Sequence, residues 1–182
     1  MFENLKRDSA RYGPNWYKRG GFWIGAIYRF GNWADGLPYR FIRFPMWILY
    51  RLLRLPTRLF HIDIWAGRKG ARIGPGLCLI HPWNVVIGSG VEVGENCLIF
   101  HDVTVGTGPT PGQPKIGNNV DLYVGARILG GVEIGDDSMV GAGCVVVKDV
   151  PPASVTVPPP PRVLPRSLSP VASGADLNKG KV

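Results

Sequence analysis

The stretch from Ile116 to Val146 reads IGNNVDLYVGARILGGVEIGDDSMVGAGCVV, and every sixth residue in it is aliphatic. The residues that share this register are Ile116, Leu122, Ile128, Ile134, Val140 and Val146. A unit of this length suits one short strand followed by one turn. Three such units would close a triangular coil of about 18 residues whose aliphatic side chains stack inside. The pattern therefore predicts an all-β solenoid.

The same six-residue step continues upstream of Ile116. The aliphatic anchors there are Ile73, Leu79 and Val85 and, after two extra residues, Val93, Ile99 and Val105. The fourth residue after an anchor tends to be small or apolar, as a narrow interior requires. Cys97 and Cys144 occupy such positions, so we interpret both as buried small hydrophobes without a redox or nucleophilic role.

One interruption separates Val105 from Ile116, where the step lengthens to eleven residues. The inserted residues 107–114 read TGPTPGQP, and a segment this rich in Pro and Gly cannot continue a strand of the ladder. We expect it to leave the coil as an exposed loop. Loops held on rigid scaffolds are favoured places for function.

Charge and composition divide the chain into three parts. The formal net charge of +8 lies within residues 1–62, and the remainder is balanced. We therefore predict a basic, aromatic helical segment over 1–60, the β-helix over 61–165 and a flexible tail over 166–182. The start lacks the basic-then-apolar order of a signal peptide. With three cysteines in a chain of 182 residues, reduced thiols and a cytoplasmic location are expected.

The basic segment has two interpretations. Its arginines fall on one side of a predicted helix, namely Arg40, Arg43, Arg51, Arg54 and Arg58. The segment is either a helical cap over the open end of the coil, with a solvated arginine face, or a membrane-surface helix that turns Trp47, Leu49 and Leu53 to lipid. The second interpretation would place the protein at the inner face of the membrane. We expect no nucleic acid partner.

From about Asp63 to Arg162 the chain resembles the serine acetyltransferase branch of the hexapeptide acyltransferases. Five motifs carry the resemblance: Ile73-Gly-Pro-Gly with His81, Val103-Thr-Val-Gly, Pro114-Lys-Ile-Gly, Gly125-Ala-Arg-Ile-Leu-Gly and Val140-Gly-Ala-Gly-Cys-Val-Val-Val-Lys-Asp-Val-Pro. The resemblance implies a left-handed parallel β-helix, a homotrimer, acetyl-CoA as co-substrate and no metal.

Acetyl transfer to a hydroxyl needs a base beside that hydroxyl, and histidine titrates in the right range. His81 lies two residues after anchor Leu79, and His101 lies two after Ile99, so we expect both on one face of adjacent coils. We predict His81 as the base and His101 as an acceptor or oxyanion contact.

Asp63 precedes His81 by eighteen residues, and we expect it one coil below, where its carboxylate would orient the imidazole. In the family an Asp-Ile motif supplies this carboxylate about three residues closer to the histidine. His61 falls at a different place in the coil from His81 and His101, so we expect no zinc site.

For the coenzyme, the resemblance points to Gly106, Thr107, Ala142 and Lys148. The chain departs from the family at three places. Gln113 stands where a histidine precedes the proline in the acceptor-binding loop, Tyr123-Val124 replaces a small Gly-Ala pair, and Pro158-Pro-Pro-Pro161 before Arg162 replaces a closing glycine motif. Gln113 cannot carry a positive charge to meet a carboxylate, whereas a neutral sugar hydroxyl would lose nothing by this exchange.

Three functions stay open at this point. One is a serine O-acetyltransferase of cysteine biosynthesis, and the second is an O-acetyltransferase acting on a saccharide hydroxyl in polysaccharide biosynthesis. The third is a catalytically weak β-helix scaffold subunit, which the altered coenzyme pocket at Tyr123, Val124 and Pro158 would favour.

Overall fold

The structure, a computed structural model, describes residues 1–160. Its helices are α1 (Phe2–Tyr12), a 3₁₀ turn (Trp16–Lys18), α2 (Gly20–Asp35), α3 (Arg40–Leu53) and α4 (Leu55–Leu59). Its strands are β1 (Asp63–Ile64), β2 (Arg72–Ile73), β3 (Cys78–Leu79), β4 (Val86–Ile87), β5 (Glu92–Val93), β6 (Leu98–Ile99), β7 (Thr104–Gly106), β8 (Lys115–Ile116), β9 (Asp121–Leu122), β10 (Arg127–Leu129), β11 (Glu133–Ile134), β12 (Met139–Val140), β13 (Val145–Val146) and β14 (Val155–Thr156). Pro161, Arg162 and the tail predicted for 166–182 lie outside the described residues.

The strands form three parallel sheets, one for each face of the coil. Sheet A contains β1, β4, β7, β10 and β13, sheet B contains β2, β5, β8 and β11, and sheet C contains β3, β6, β9, β12 and β14. Each strand pairs with the strand at the same face of the next coil, for example Ile99 with Leu122. The predicted fold class, a solenoid of hexapeptide repeats behind a short helical segment, is confirmed.

The interior of the coil is a column of aliphatic side chains with almost no solvent contact. All six anchors from Ile116 to Val146 are buried, and so are the three cysteines, which are free thiols. Burial raises the pKa of the Cys97 thiol to about 11, and its Sγ lies 3.2 Å from the Gly117 carbonyl oxygen. Because the thiolate is the nucleophilic form, this burial supports the interpretation of Cys97 as a packing residue.

The position predicted for the two extra residues is wrong by one turn. Val85 and Ile87 are both fully buried, but the strand anchor in the ladder is Ile87, which pairs with Val105. Two aliphatic residues so close together give the sequence two registers, and the six-residue count selected Val85. The extra residues therefore lie between Leu79 and Ile87, in the turn that contains His81.

The helical segment closes the open end of the coil by binding its unpaired edge. In sheet C the Tyr12 hydroxyl accepts a hydrogen bond from the Leu79 amide at 2.6 Å. In sheet B the Tyr28 hydroxyl accepts one from the Ile73 amide at 3.2 Å and donates to the Ala71 carbonyl at 2.7 Å. Burial raises the pKa of both phenols, so they remain neutral donors and acceptors. The cap interpretation of this segment agrees with these contacts.

A buried ion pair fixes the cap in place. Asp8 of α1 and Arg29 of α2 are 3% and 4% exposed, and the Arg29 Nε donates to Asp8 at 3.0 Å. The Asp8 carboxylate also accepts the amides of Gly76 and Leu77 at 2.8 and 2.9 Å. Arg29 donates in turn to the Gly74 carbonyl at 2.6 Å. Both charges thus have their partners, as buried charges require.

Helix α3 packs against α2, and α4 contacts α3. Tyr50 of α3 is 1% exposed and lies against Gly31 of α2, where an added Cβ would come within 2.6 Å of the Tyr50 ring. Among the described residues, no helix is both long enough and apolar enough to cross a membrane.

The contact between α2 and β3 can be tested at one glycine. A Cβ on Gly21 would lie 2.1 Å from the Leu79 carbonyl oxygen, whereas one on the preceding Gly20 would meet nothing within 4 Å. We therefore expect Gly21→Ala to reduce the free energy of unfolding by about 1–3 kcal/mol. Thermal and urea denaturation measure this.

Gly20→Ala is the matched control, because both positions lie in the first turn of α2. Alanine favours a helix over glycine, so this variant should be as stable as the wild type or slightly more stable. Equal stability of the two variants would mean that α2 does not rest on Leu79 as described.

Candidate active site

His81 lies in the longest turn between sheets C and A, at an edge of the prism that we call the histidine corner. This corner holds residues 80–84 in one coil and residues 100–102 in the next. His81 has a φ of +48° and Asn84 one of +52°. These two residues with left-handed backbone conformation, together with the two inserted residues, make the chain bulge outward. His81 is exposed to solvent. An exposed imidazole at a rigid turn is available to a substrate.

His101 reaches the same corner in the next coil, but it does not lie directly over His81. The strands before the two histidines pair as predicted, with Leu79 opposite Ile99. After them the longer turn shifts the register, and the amide of Asp102 donates to the carbonyl of Trp83 at 2.8 Å. Trp83 therefore lies opposite His101, and His81 stands at the beginning of the bulge.

The imidazole of His101 is half-buried, and its surroundings leave one nitrogen unused. Its Nδ1 is buried and has no hydrogen-bond partner among residues 1–160. The neighbouring Asp102 is already engaged, since it accepts the Asn84 side-chain amide at 2.6 Å and lies 3.6 Å from Arg127. A polar atom buried without a partner is rare and marks a place where a ligand atom would be favourable.

The expected position of Asp63 is wrong. Asp63 pairs with Val86 in sheet A, so it lies one coil below the strand that follows the His81 turn. Counting eighteen residues failed because the turn from β1 to β2 already contains inserted residues, since the step from anchor Ile64 to anchor Ile73 is nine residues instead of six. The Asp63 carboxylate accepts a hydrogen bond from Arg54, which ties the end of α3 to the first coil.

A cavity of about 390 Å³ opens beside His81, between the coil and the helical cap. Three cationic side chains line it, contributed by Arg11, Lys18 and Arg19, together with the Tyr12 hydroxyl. None of the described residues that line it carries a carboxylate. Sequence reasoning missed these residues because they come from the helical segment and meet His81 only through the fold. The concentration of positive charge in residues 1–62 was the available signal.

The loop of residues 107–114 leaves the coil at the opposite edge of sheet A, which we call the loop corner. It folds back on the turn between sheets A and B, where the Gly131 amide donates to the Thr110 carbonyl at 3.3 Å. The Gln113 side chain packs near Gly90, and its Oε1 is buried without a hydrogen-bond partner among the described residues. The structure thus places Gln113 and His81 at different edges of one face. One face of the coil is about six residues long, so the two edges are roughly 15–20 Å apart.

The four residues predicted for the coenzyme divide between the same two edges. Gly106 is the last residue of β7, Thr107 follows it, and Lys148 comes shortly after β13. All three therefore lie at the loop corner, with Lys148 two coils away from the other two. Ala142 lies in the turn before β13, at the histidine corner. A cavity of about 630 Å³ next to Lys148 is lined mainly by valines and prolines, including Pro158. One chain therefore does not bring all four together.

The altered pair Tyr123-Val124 belongs to the histidine corner. The Tyr123 ring stacks on Phe100 with the centroids 5.0 Å apart, and Phe100 immediately precedes His101. Within the described residues, no group of three or more His, Cys, Asp or Glu side chains is arranged to hold a metal ion.

Comparison with known proteins agrees with this geometry. The family model for bacterial transferase hexapeptide (six repeats) matches residues 113–148. The chain is 45% identical over 101 residues to the serine acetyltransferase of Synechococcus elongatus, and 44% identical over 101 residues to that of Mycobacterium tuberculosis. Both matches take in 54% of this chain, and they cover 41% and 44% of these relatives. The matched region thus spans less than half the length of either relative.

Solved structures extend the similarity into the helical segment. The serine acetyltransferase of Neisseria gonorrhoeae superposes with a TM-score of 0.68 at 30% identity, over 98% of this chain and 69% of that one. The same enzyme in complex with serine gives a TM-score of 0.70 at 30% identity, over 87% and 67% of the chains. The enzyme of Brucella abortus in complex with coenzyme A gives 0.66 at 29% identity, over 86% and 65%.

A coil of hexapeptide repeats with a histidine at the corner defines the class, and the chain belongs to the hexapeptide-repeat acyltransferases. Within that class, the 30% identity over two thirds of a solved serine acetyltransferase assigns it to the serine acetyltransferase-like branch.

Proposed function

We propose that the protein is an acetyl-CoA-dependent O-acetyltransferase with His81 as its general base. The observation that carries the proposal is the exposed His81, which lines a cavity of about 390 Å³ between the coil and the helical cap. Relatives named as serine acetyltransferases, with structures bound to serine and to coenzyme A, support both the reaction and its donor.

In this mechanism His81 removes the proton from the acceptor hydroxyl as its oxygen attacks the thioester carbonyl. The new C–O bond forms, the carbonyl becomes a tetrahedral oxyanion, and His101 would donate to it or to the acceptor. Collapse breaks the C–S bond, and the proton held by His81 passes to the leaving thiolate. Asp63, one coil below the strand that follows the His81 turn, would stabilise the imidazolium by its charge.

We further propose that three copies form a cyclic trimer with the active sites between subunits. The histidine corner and the loop corner bound the same sheet A, so a neighbouring copy can bring its Gln113 loop and its coenzyme residues to His81. A three-sided prism with flat faces suits cyclic symmetry of this kind. The three buried thiols fit the reducing cytoplasm as the place of action.

Serine is the first candidate acceptor, because it is the acceptor named in the matched relatives. The cavity beside His81 supports a second candidate, a saccharide that carries a phosphate or carboxylate. Arg11, Lys18 and Arg19 would hold such an anion, whereas the ammonium group of serine would meet three cations and no carboxylate from the described lining.

The role of His81 is tested by His81→Ala. The variant should lower kcat by about 10²–10⁴ because the acceptor hydroxyl loses its base, while the affinity for coenzyme A stays near the wild-type value. Release of free thiol from acetyl-CoA in the presence of acceptor measures the rate. His61→Ala is the matched control, since His61 lies one coil below and packs on Trp83 instead of the cavity.

A His81→Ala variant that turns over like the wild type would remove His81 from the mechanism. A wild-type protein that releases no thiol with serine or with any anionic saccharide would favour the scaffold alternative. Asp63→Asn in the same assay should lower kcat with little change in KM if its carboxylate acts on the imidazolium.

The cationic cavity is tested by Lys18→Gln. Loss of one charge-assisted hydrogen bond should raise KM for an anionic acceptor by about tenfold to a hundredfold, with a smaller effect on kcat. Lys6→Gln is the matched control, because Lys6 is an exposed lysine of the cap outside the cavity lining. Both variants are assayed with L-serine, a sugar phosphate and a neutral sugar as competing acceptors.

Preference for the sugar phosphate over L-serine, lost in Lys18→Gln alone, would support the second candidate. Efficient turnover of L-serine that is insensitive to Lys18 would contradict it and would leave serine as the acceptor. Equal effects of Lys6→Gln and Lys18→Gln would show that the cavity does not bind the anion.

A further inference from the structure

The outward side of α3 and α4 carries a continuous row of exposed apolar side chains, here called the apolar stripe. It consists of Phe41, Phe44, Ile48, Leu52, Leu55 and Leu59. Their spacing of three and four residues keeps them on one side of the helices. Phe41, Phe44 and Leu59 expose 75%, 65% and 76% of their surface. A contiguous exposed apolar surface of this kind usually marks a site that binds another molecule or a membrane.

The stripe points away from the protein, because the opposite side of α3 and α4 is already buried. Tyr50 and Thr57 on that side are 1% and 7% exposed. Trp47 packs on Tyr50 with the ring centroids 4.9 Å apart, so the expectation that Trp47 faces lipid is wrong. Leu49 and Leu53, which we also expected to face lipid, are exposed and lie at the margin of the outward side.

A row of arginines follows one edge of the apolar stripe. Arg40, Arg51 and Arg58 are exposed and, at 100° per residue, lie within about 20° of one another around the helix. The sequence contains no Asp or Glu between Asp35 and Asp63. This surface is therefore apolar along the stripe and positively charged along one edge. Residues 36–62 contain no acidic side chain that could neutralise the positive charge.

We propose that α3 and α4 dock the protein onto a membrane surface rich in anionic lipid. The stripe enters the boundary between headgroups and acyl chains, and the arginines bind lipid phosphates and carboxylates from its edge. Phenylalanine and leucine on one side of a helix with arginine beside them are typical of helices that lie in this interface. Each arginine near an anionic leaflet adds to the attraction.

The charge distribution distinguishes lipid from a second copy of this chain. Two copies joined through the stripe would bring ten arginines of α3, α4 and their junction together with no acidic residue between 36 and 62 to neutralise them. Like charges placed together across an interface oppose association. An anionic bilayer buries the same apolar side chains and supplies the missing negative charge.

Vesicle sedimentation tests the proposal without any acetyl transfer. The full chain is mixed with vesicles of phosphatidylcholine alone, or of phosphatidylcholine and phosphatidylserine in equal parts, at low and at high salt. We expect binding to the anionic vesicles at low salt and a decrease of about tenfold at 1 M salt, where the screening length falls to about 3 Å. Neutral vesicles should bind weakly.

Phe44→Ser removes one large member of the stripe, and Phe2→Ser is the matched control. Both phenylalanines are highly exposed, and Phe2 lies on α1 outside the stripe. We expect Phe44→Ser to weaken binding to the anionic vesicles by about tenfold, because the free energy of transferring one large apolar side chain out of water corresponds to at least that factor. Phe2→Ser should bind like the wild type. Circular dichroism and thermal unfolding check that both variants are folded.

Three outcomes would overturn the proposal. The first is no sedimentation with anionic vesicles at low salt. The second is equal weakening by Phe44→Ser and Phe2→Ser, which would indicate nonspecific adsorption. The third is a concentration-dependent association in light scattering without vesicles that Phe44→Ser abolishes, which would assign the stripe to a second copy of the chain.

Discussion

The first coil of a parallel β-helix has an edge of unpaired amides and carbonyls, and the fold depends on satisfying them. A strand edge left open invites pairing with other chains, and a buried edge without partners costs the desolvation of each group. Four side chains of the helical segment meet this requirement in sheets B and C, namely Asp8, Tyr12, Tyr28 and Arg29. The segment is therefore part of the solenoid's architecture, although its sequence shows no repeat.

The same contacts determine where the chemistry can occur. Because Asp8 and Arg29 fix α1 and α2 on the first coil, Arg11, Lys18 and Arg19 come to the cavity beside His81. The cap thus supplies the charge that the loop at Gln113 lacks. Its outer helices then present their apolar stripe away from the coil. One segment therefore closes the fold and lines the cavity beside His81.

The solenoid could be predicted from the sequence because each anchor packs on its neighbours six and about eighteen residues away. The prediction failed where the local pattern allowed two registers, as at Val85 and Ile87, or where inserted residues altered the count, as at Asp63. The ion pair of Asp8 and Arg29 with the first coil could not be predicted, since it joins residues far apart in the chain. Trp47 could not be oriented either, because helix periodicity does not reveal which side meets α2.

The central claim is that the Asp8–Arg29 pair holds the cap on the coil, and native-state hydrogen exchange of Asp8→Ala tests it most directly. Removing one partner of a buried pair costs about 3–5 kcal/mol, since the other charge stays buried. We predict that the amides of α1, α2, Gly76 and Leu77 lose protection while those from Val105 to Val146 keep it. Unchanged protection of Gly76 and Leu77, or an equal loss throughout the coil, would contradict the account.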